Sequence, residues 1–176
     1  MSKVHAPKTC FTPIREDATA TIVSYEFQAD GKKNGFWQEV SIWKKKRMKP
    51  SLQEVKDAVI ADIDAQTDLK ILNGYQFTPD GAEEAITVWL SKESQTNFSE
   101  AHRLQVVPVK FKLNEDEDKN AIYHTFETFE ELDRFYKGGV AWIQQCLNEG
   151  WARKDAIDWA PYEAYYPQPE QQNEEQ

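Results

Sequence analysis

The 176-residue sequence predicts an α+β fold: an antiparallel sheet covered on one face by a long C-terminal helix, preceded by an N-terminal β-hairpin and a further helix. Three observations predict it. From Leu132 to Leu147, the residues Leu132, Phe135, Tyr136, Gly139, Val140, Ile143 and Leu147 recur at spacings of three and four, which is one apolar face of a helix. Ahead of it, residues 106–113 (VVPVKFKL) and 121–126 (AIYHTF) alternate as strands do. Near the start, residues 19–27 (TATIVSYEF) and 36–43 (FWQEVSIW) flank a segment holding Asp30-Gly31 and Asn34-Gly35, either of which suits a hairpin turn.

Residues 1–17 read as an extended arm. Pro7 and Pro13 discourage helix, and no period is visible. Either the arm is a frayed terminus, or Phe11 and Ile14 dock it on a neighbour. Residues 18–50 form a β-hairpin attachment region. Both faces of the hairpin carry aromatics, including Tyr25, Phe27, Trp37 and Trp43, so a partner or a second core should cover the second face. Trp37 and Trp43, with Phe11 and Ile14, are the candidate partner-binding residues. The basic run at 44–49 reads as a solvated linker beside Pro50.

Residues 51–160 form the main module. Ser51 and Glu54 make a capping box, and Leu52, Val55, Val59 and Ile63 line the helix that follows. Residues 71–77 read as a strand, Thr78-Pro79-Asp80-Gly81 as a turn, and 86–90 as a strand. The next helix turns Phe98, Ala101 and Leu104 inward. In 106–113, Val107, Val109, Phe111 and Leu113 share one side. Thr128 caps the long helix with Glu131 completing a second box, and Gly150 supplies its stop. Gly138 and Gly139 inside that helix point to a close approach by another element. Residues 161–176 are a polar tail.

The formal net charge of −9 argues against nucleic-acid and anionic-membrane partners. No run reaches transmembrane length, and no apolar leader follows Met1. The two cysteines, Cys10 and Cys146, cannot form a disulfide framework or a zinc site. His5, His102 and His124 show no metal-ligand spacing, and no nucleotide-binding or nucleophile motif occurs, so neither a cofactor nor a catalytic residue is expected. A Cys146–His124 pair is conceivable in space, but a buried structural thiol is the simpler account. The six tryptophans and the tyrosines at 162, 165 and 166 could stack on sugars or serve core and interface; their enrichment at protein interfaces favours the second.

The order ILNG (71–74), VWLSKESQTNF (88–98), VPVKFKL (107–113), YHTFETFEELDRFY (123–136), IQQCLNEGW (143–151) and KDAIDW (154–159) resembles a small uncharacterised module of phages and prophages, especially those of gut Bacteroidetes. The related module accompanies tail-fibre and baseplate proteins. The resemblance implies a non-enzymatic virion structural protein, of the kind found in a crAss-like phage infecting Bacteroides, that forms or anchors a head, collar or tail fibre or spike. It would be assembled in the bacterial cytoplasm, dock on other virion proteins and self-associate, most simply as a homodimer. A tail-fibre assembly chaperone and a carbohydrate-binding host-recognition module are the alternatives.

Overall fold

A computed structural model describes residues 2–44 and 48–166. It is α+β with antiparallel pairing throughout, and it divides into two compact units, Met1–Asp64 with Arg153–Gln176, and Ala65–Ala152. Most of the basic run and of the C-terminal tail lie outside the described residues.

The first unit is built on a four-stranded antiparallel sheet of order β1-β4-β3-β2, with β1 at Ser2–Pro7, β2 at Ile14–Glu16, β3 at Ala20–Asp30 and β4 at Asn34–Trp43. The expected hairpin is present as β3–β4. Of its two competent turns the chain uses the first, because Gly31 takes φ +61° while Asn34 already pairs with Asp30. The register shifts between Tyr25 and Gln28, where Glu26 adopts φ +54°. On one face Val23, Tyr25, Val40 and Ile42 meet Val55, Val59 and Ile63 of helix α1 (Leu52–Gly74) and Tyr162 of the short helix α4 (Ala160–Tyr165). The α1 capping box forms in both directions: Ser51 N–H donates to Glu54 Oε2 at 2.8 Å, and Glu54 N–H donates to Ser51 Oγ at 3.2 Å.

The extended arm expected at 1–17 is not a free segment. Ser2–Pro7 pairs with β4, and Ile14–Glu16 pairs with β3. Ile14 is 5% exposed and belongs to the core. The physical reason is edge chemistry: both hairpin strands offer unpaired backbone groups, and the arm satisfies them within the chain. A single 3₁₀ turn at Lys8–Cys10 reverses the chain between the two pairings.

The second unit holds two two-stranded sheets, β5 (Tyr75–Phe77) with β6 (Ile86–Val88), and β7 (Val109–Glu115) with β8 (Ala121–Phe126). The N–H of Trp89 donates to Leu113 O at 2.7 Å, tying the chain after β6 to β7. The single sheet under one helix that the sequence suggests is therefore split, and three helices share the core: α2 (Lys92–Arg103), α3 (Phe129–Asp155) and, through Ile71, the end of α1. Nor is α3 the last element, since α4 follows it. Residues 71–74, expected to open a strand, are the end of α1. Val107, Val109 and Phe111 pack against the core and Leu113 is buried in it, as their alternation predicts. Leu104, expected inward, is exposed just beyond the end of α2.

Phe135 is the hub of this core. Its ring centroid lies 5.0 Å from Phe77, 4.9 Å from Phe98 and 4.8 Å from Phe126, in the tilted and edge-on arrangements aromatic rings prefer. Gly150 does not stop α3, which runs five residues further, to Asp155. It is instead a contact glycine: a Cβ there would stand 2.5 Å from Thr67 Oγ1 of α1. A Cβ on Gly138 would likewise strike the Tyr75 hydroxyl, so the close approach expected at Gly138-Gly139 is made by β5.

Two predictions follow from this packing. Phe135→Ala should lower stability by about 3–5 kcal/mol, the usual cost of removing a fully buried aromatic ring; chemical denaturation checks it, and a loss below about 1 kcal/mol would remove Phe135 from the hub. Gly150→Ala should destabilise even though alanine is intrinsically better in a helix by about 1 kcal/mol. Thr67→Ala should recover part of that loss, giving a favourable coupling in a double-mutant cycle.

Candidate functional site

The four candidate partner-binding residues have separate fates. Ile14 is core. Phe11 folds back on the hairpin, its ring centroid 4.9 Å from Phe27 and 5.7 Å from Trp37. Trp37 is 3% exposed, and its indole N–H donates to Glu39 Oε1 at 3.1 Å. Part of the hairpin's second face is therefore covered by the turn that follows β1. Trp43 stays open at 72% exposure. With Ile42, Met48, Lys49, Pro50, Glu54 and Asp57 it lines a groove of about 450 Å³. Met48, 70% exposed, lies in the stretch expected to be a solvated linker. A position in a polar run carries no pattern that would have signalled it.

The polar side chains that could do chemistry are tied into the scaffold. Glu131, expected to complete the second capping box, caps only in part: its own N–H donates to Thr128 Oγ1 at 3.3 Å. Its buried carboxylate turns elsewhere. Oε1 accepts from the Asp80 N–H at 2.8 Å and lies 3.0 Å from His124 Nε2. Glu131 thus pins the turn after β5, and β8, to the first turn of α3. The signal was the same Thr-x-x-Glu spacing, which cannot show that a second acceptor geometry competes.

His102 Nε2 lies 2.8 Å from Asp133 Oδ1, and its ring stacks on Tyr136 at 4.1 Å. Asp133 also accepts from Lys137 at 2.7 Å, and these two bonds, Lys137 first, hold its carboxyl below the usual carboxylate range. In the first unit Tyr25 donates a short hydrogen bond to the buried Asp62 carboxylate, and the two Arg153 donors reach Glu26 at 2.7 and 2.9 Å. The bulge at Glu26 aims that carboxylate.

The Cys146–His124 pair is not formed. The charged groups acting on Cys146 are Lys70 and Glu149, burial pushes its thiol up, and His124 is held by Glu131. Cys10 is exposed. Among the described residues no group of three or more histidine, cysteine, aspartate or glutamate side chains could hold a metal ion. No described helix is long and apolar enough to cross a membrane.

Burial governs the titration of the tyrosines. Tyr75, whose hydroxyl donates to Phe135 O at 2.8 Å, is pushed up to about 12, and so is Tyr162, whose hydroxyl donates to Ser24 O at 2.7 Å. Tyr25 rises as well, through burial first and its bond to Asp62 second. The folded values lie above the ordinary value near 10, so the stabilisation is intact below about pH 10 and is lost as pH rises through about 12. Stability should therefore be flat from neutral pH to about 10 and fall steeply above it, by at most ~2–3 kcal/mol for each of Tyr75 and Tyr162. Ultraviolet titration of tyrosinate alongside circular dichroism checks this. Full ionisation near the ordinary value with the fold retained would contradict it.

A family model described as Domain of unknown function (DUF4376) matches residues 54–171, which takes in α1 from its first turn, the second unit and α4. The N-terminal sheet, 2–44, precedes the match. No curated protein and no solved structure matches the chain.

Proposed function

The chain belongs to the DUF4376 family of unknown function, and from that premise we propose that it is a non-enzymatic assembly protein acting through protein–protein contacts. The concrete form of the proposal is a phage virion structural protein that forms or anchors a head, collar or tail fibre or spike, as the resemblance to the phage module implies. Its place would be the virion, its partners other virion proteins and a second copy of itself. In this reading α3 is the backing helix of the module's antiparallel strands.

The observation that supports the reading best is the groove at Trp43. A tryptophan and a methionine, each about 70% exposed, stand side by side on the surface. Tryptophan and methionine are enriched where proteins meet, and large apolar side chains that share an open patch mark interaction sites. Trp43 is the most exposed large residue of the hairpin, at 72% against 38% for Phe27, so it is where a partner would seat.

Light scattering on the purified protein should give a dimer at micromolar concentration. Trp43→Ser should shift it to monomer, and its melting temperature should fall only by the concentration-dependent part that dimerisation contributes, because so exposed a side chain contributes little to the fold itself. A monomeric parent would defeat self-association through this face. Mass spectrometry of purified particles tests the virion assignment. Absence of the protein from mature particles that nonetheless need it for fibre attachment would favour an assembly chaperone instead.

A further inference from the structure

Between β6 and α2 the chain turns Trp89 outward. Val88 and Leu90 on either side of it are buried, whereas Trp89 is 40% exposed. Its backbone is fixed: the Trp89 N–H donates to Leu113 O at 2.7 Å, and the Leu90 N–H donates to Leu72 O at 3.0 Å. Its indole makes no ring contact, cation contact or hydrogen bond among the described residues, unlike that of Trp37, which donates to Glu39, or that of Trp142, which faces Lys70. Trp89 lines a groove of about 370 Å³ that belongs wholly to the second unit and shares no residue with the Trp43 groove.

Glu93 and Asn97 stand one turn apart on α2, so they share a face, and both line this groove. Both are exposed, and neither side chain makes a hydrogen bond or an ion pair among the described residues. Two further polar walls are already committed. The Asn114 carboxamide donates to Thr87 O and accepts from the Glu115 N–H, each at 2.8 Å, and Lys112 Nζ lies 2.5 Å from Glu115 Oε1. Phe98 and Leu113 also line the groove but are buried. A ligand therefore meets an open indole, a free carboxylate and a free carboxamide.

These three groups together select a neutral sugar. One face of a pyranose is made of C–H bonds, weakly positive, which suits the negative face of an indole. Its rim of adjacent hydroxyls both donates and accepts. A carboxylate accepts from two donors, and a carboxamide offers an acceptor and donors side by side. An anion is disfavoured, because the unpaired charge in the groove is that of Glu93 and Lys112 is already matched by Glu115. An organic cation is disfavoured, because sites that hold one enclose it in a cage of aromatic faces, and Trp89 is the one exposed aromatic among the lining residues. The volume lies at the small end of ligand sites, which run from about 300 to 1,000 Å³. We propose that the groove at Trp89 binds a neutral pyranose, stacked on the indole and hydrogen-bonded through adjacent hydroxyls to Glu93 and Asn97. This binding activity would be additional to the assembly role and does not rest on it.

The test is an NMR titration of the full chain with methyl β-glucopyranoside and methyl β-galactopyranoside. Methyl β-glucuronide is the anionic control and choline the cationic one. At least one neutral glycoside should give saturable, millimolar-range shifts at the Trp89 indole N–H and at the Ser94 backbone amide, with both controls clearly weaker. Read at Ser94, Trp89→Ala should weaken binding by about tenfold or more, through loss of the stacking face. Asn97→Ala should weaken it by about three- to tenfold, the loss of one or two hydrogen bonds. Asn97 is exposed on the helix surface, so this variant keeps the test decisive if Trp89→Ala fails to fold. Glu93→Gln, which removes the charge and keeps a hydrogen-bonding group, should let the glucuronide gain on the neutral glycosides. Trp43→Ser should leave the sugar shifts as they are, which separates this site from the proposed assembly face. The proposal is overturned if neither neutral glycoside gives saturable shifts, or if choline or the glucuronide binds as well as they do. It is equally overturned if a folded Trp89→Ala or Asn97→Ala variant binds like the parent, or if Glu93→Gln leaves the glucuronide ratio unchanged.

Discussion

The second unit depends on side chains that seat against helix backbone more closely than a Cβ there would allow. At three places a glycine stands where a single methyl group would collide: Gly74 under Trp142, Gly138 against Tyr75, and Gly150 against Thr67. Two of these glycines lie inside α3, where each weakens the helix by about 1 kcal/mol relative to alanine. Close contact repays that loss. Dispersion falls off steeply with separation, so a long helix held against β5 and the end of α1 at this distance gains from every atom along the seam. The Tyr75 hydroxyl then reaches the carbonyl of Phe135, and Phe135 is set into its ring of aromatic neighbours. The glycine contacts, the buried hydrogen bond and the core are one arrangement rather than three separate features.

The same glycines show how far a sequence can be read. The pair at 138–139 sits mid-stripe, where only a close neighbour explains it, and that inference held. Gly150 follows the last periodic residue, Leu147, at the position a C-terminal cap would occupy, and the stop it suggests does not occur. A cap glycine and a contact glycine leave the same mark on a sequence. What distinguishes them is Thr67, more than eighty positions away, and no local pattern reports it. Helix α1 is a related case: its first turns were legible from Val55, Val59 and Ile63, but its continuation through residues 71–74 was hidden by a short apolar run that serves strand or helix equally well.

The N-terminal residues illustrate a different limit. The hairpin, its turn and its alternation were visible, since β pairing over a tight turn is local. The partner of its edges was not. Phe11 and Ile14 are too apolar for a solvated tail, and both contact their own sheet. Hydrophobic content says that a side chain will be covered; it does not say by which chain. With the arm paired, the aromatic side chains that the hairpin leaves exposed are Phe27 in part and Trp43 chiefly, and Trp43 shares its groove with Met48.

Glu131 carries the argument about chemistry furthest. A buried carboxylate beside a histidine is the kind of pair from which acid–base sites are built. Here its oxygen is already shared between the Asp80 N–H and His124, and the turn that supplies Asp80 is itself held by Arg134 at 2.7 Å from Asp80 Oδ1. A group that acts on a substrate must exchange a partner for it, and releasing Glu131 would free a turn and a strand from the start of α3. His102 and Asp133 are committed in the same way, behind Tyr136. Glu131, His102 and Asp133 thus serve as fasteners of the second unit.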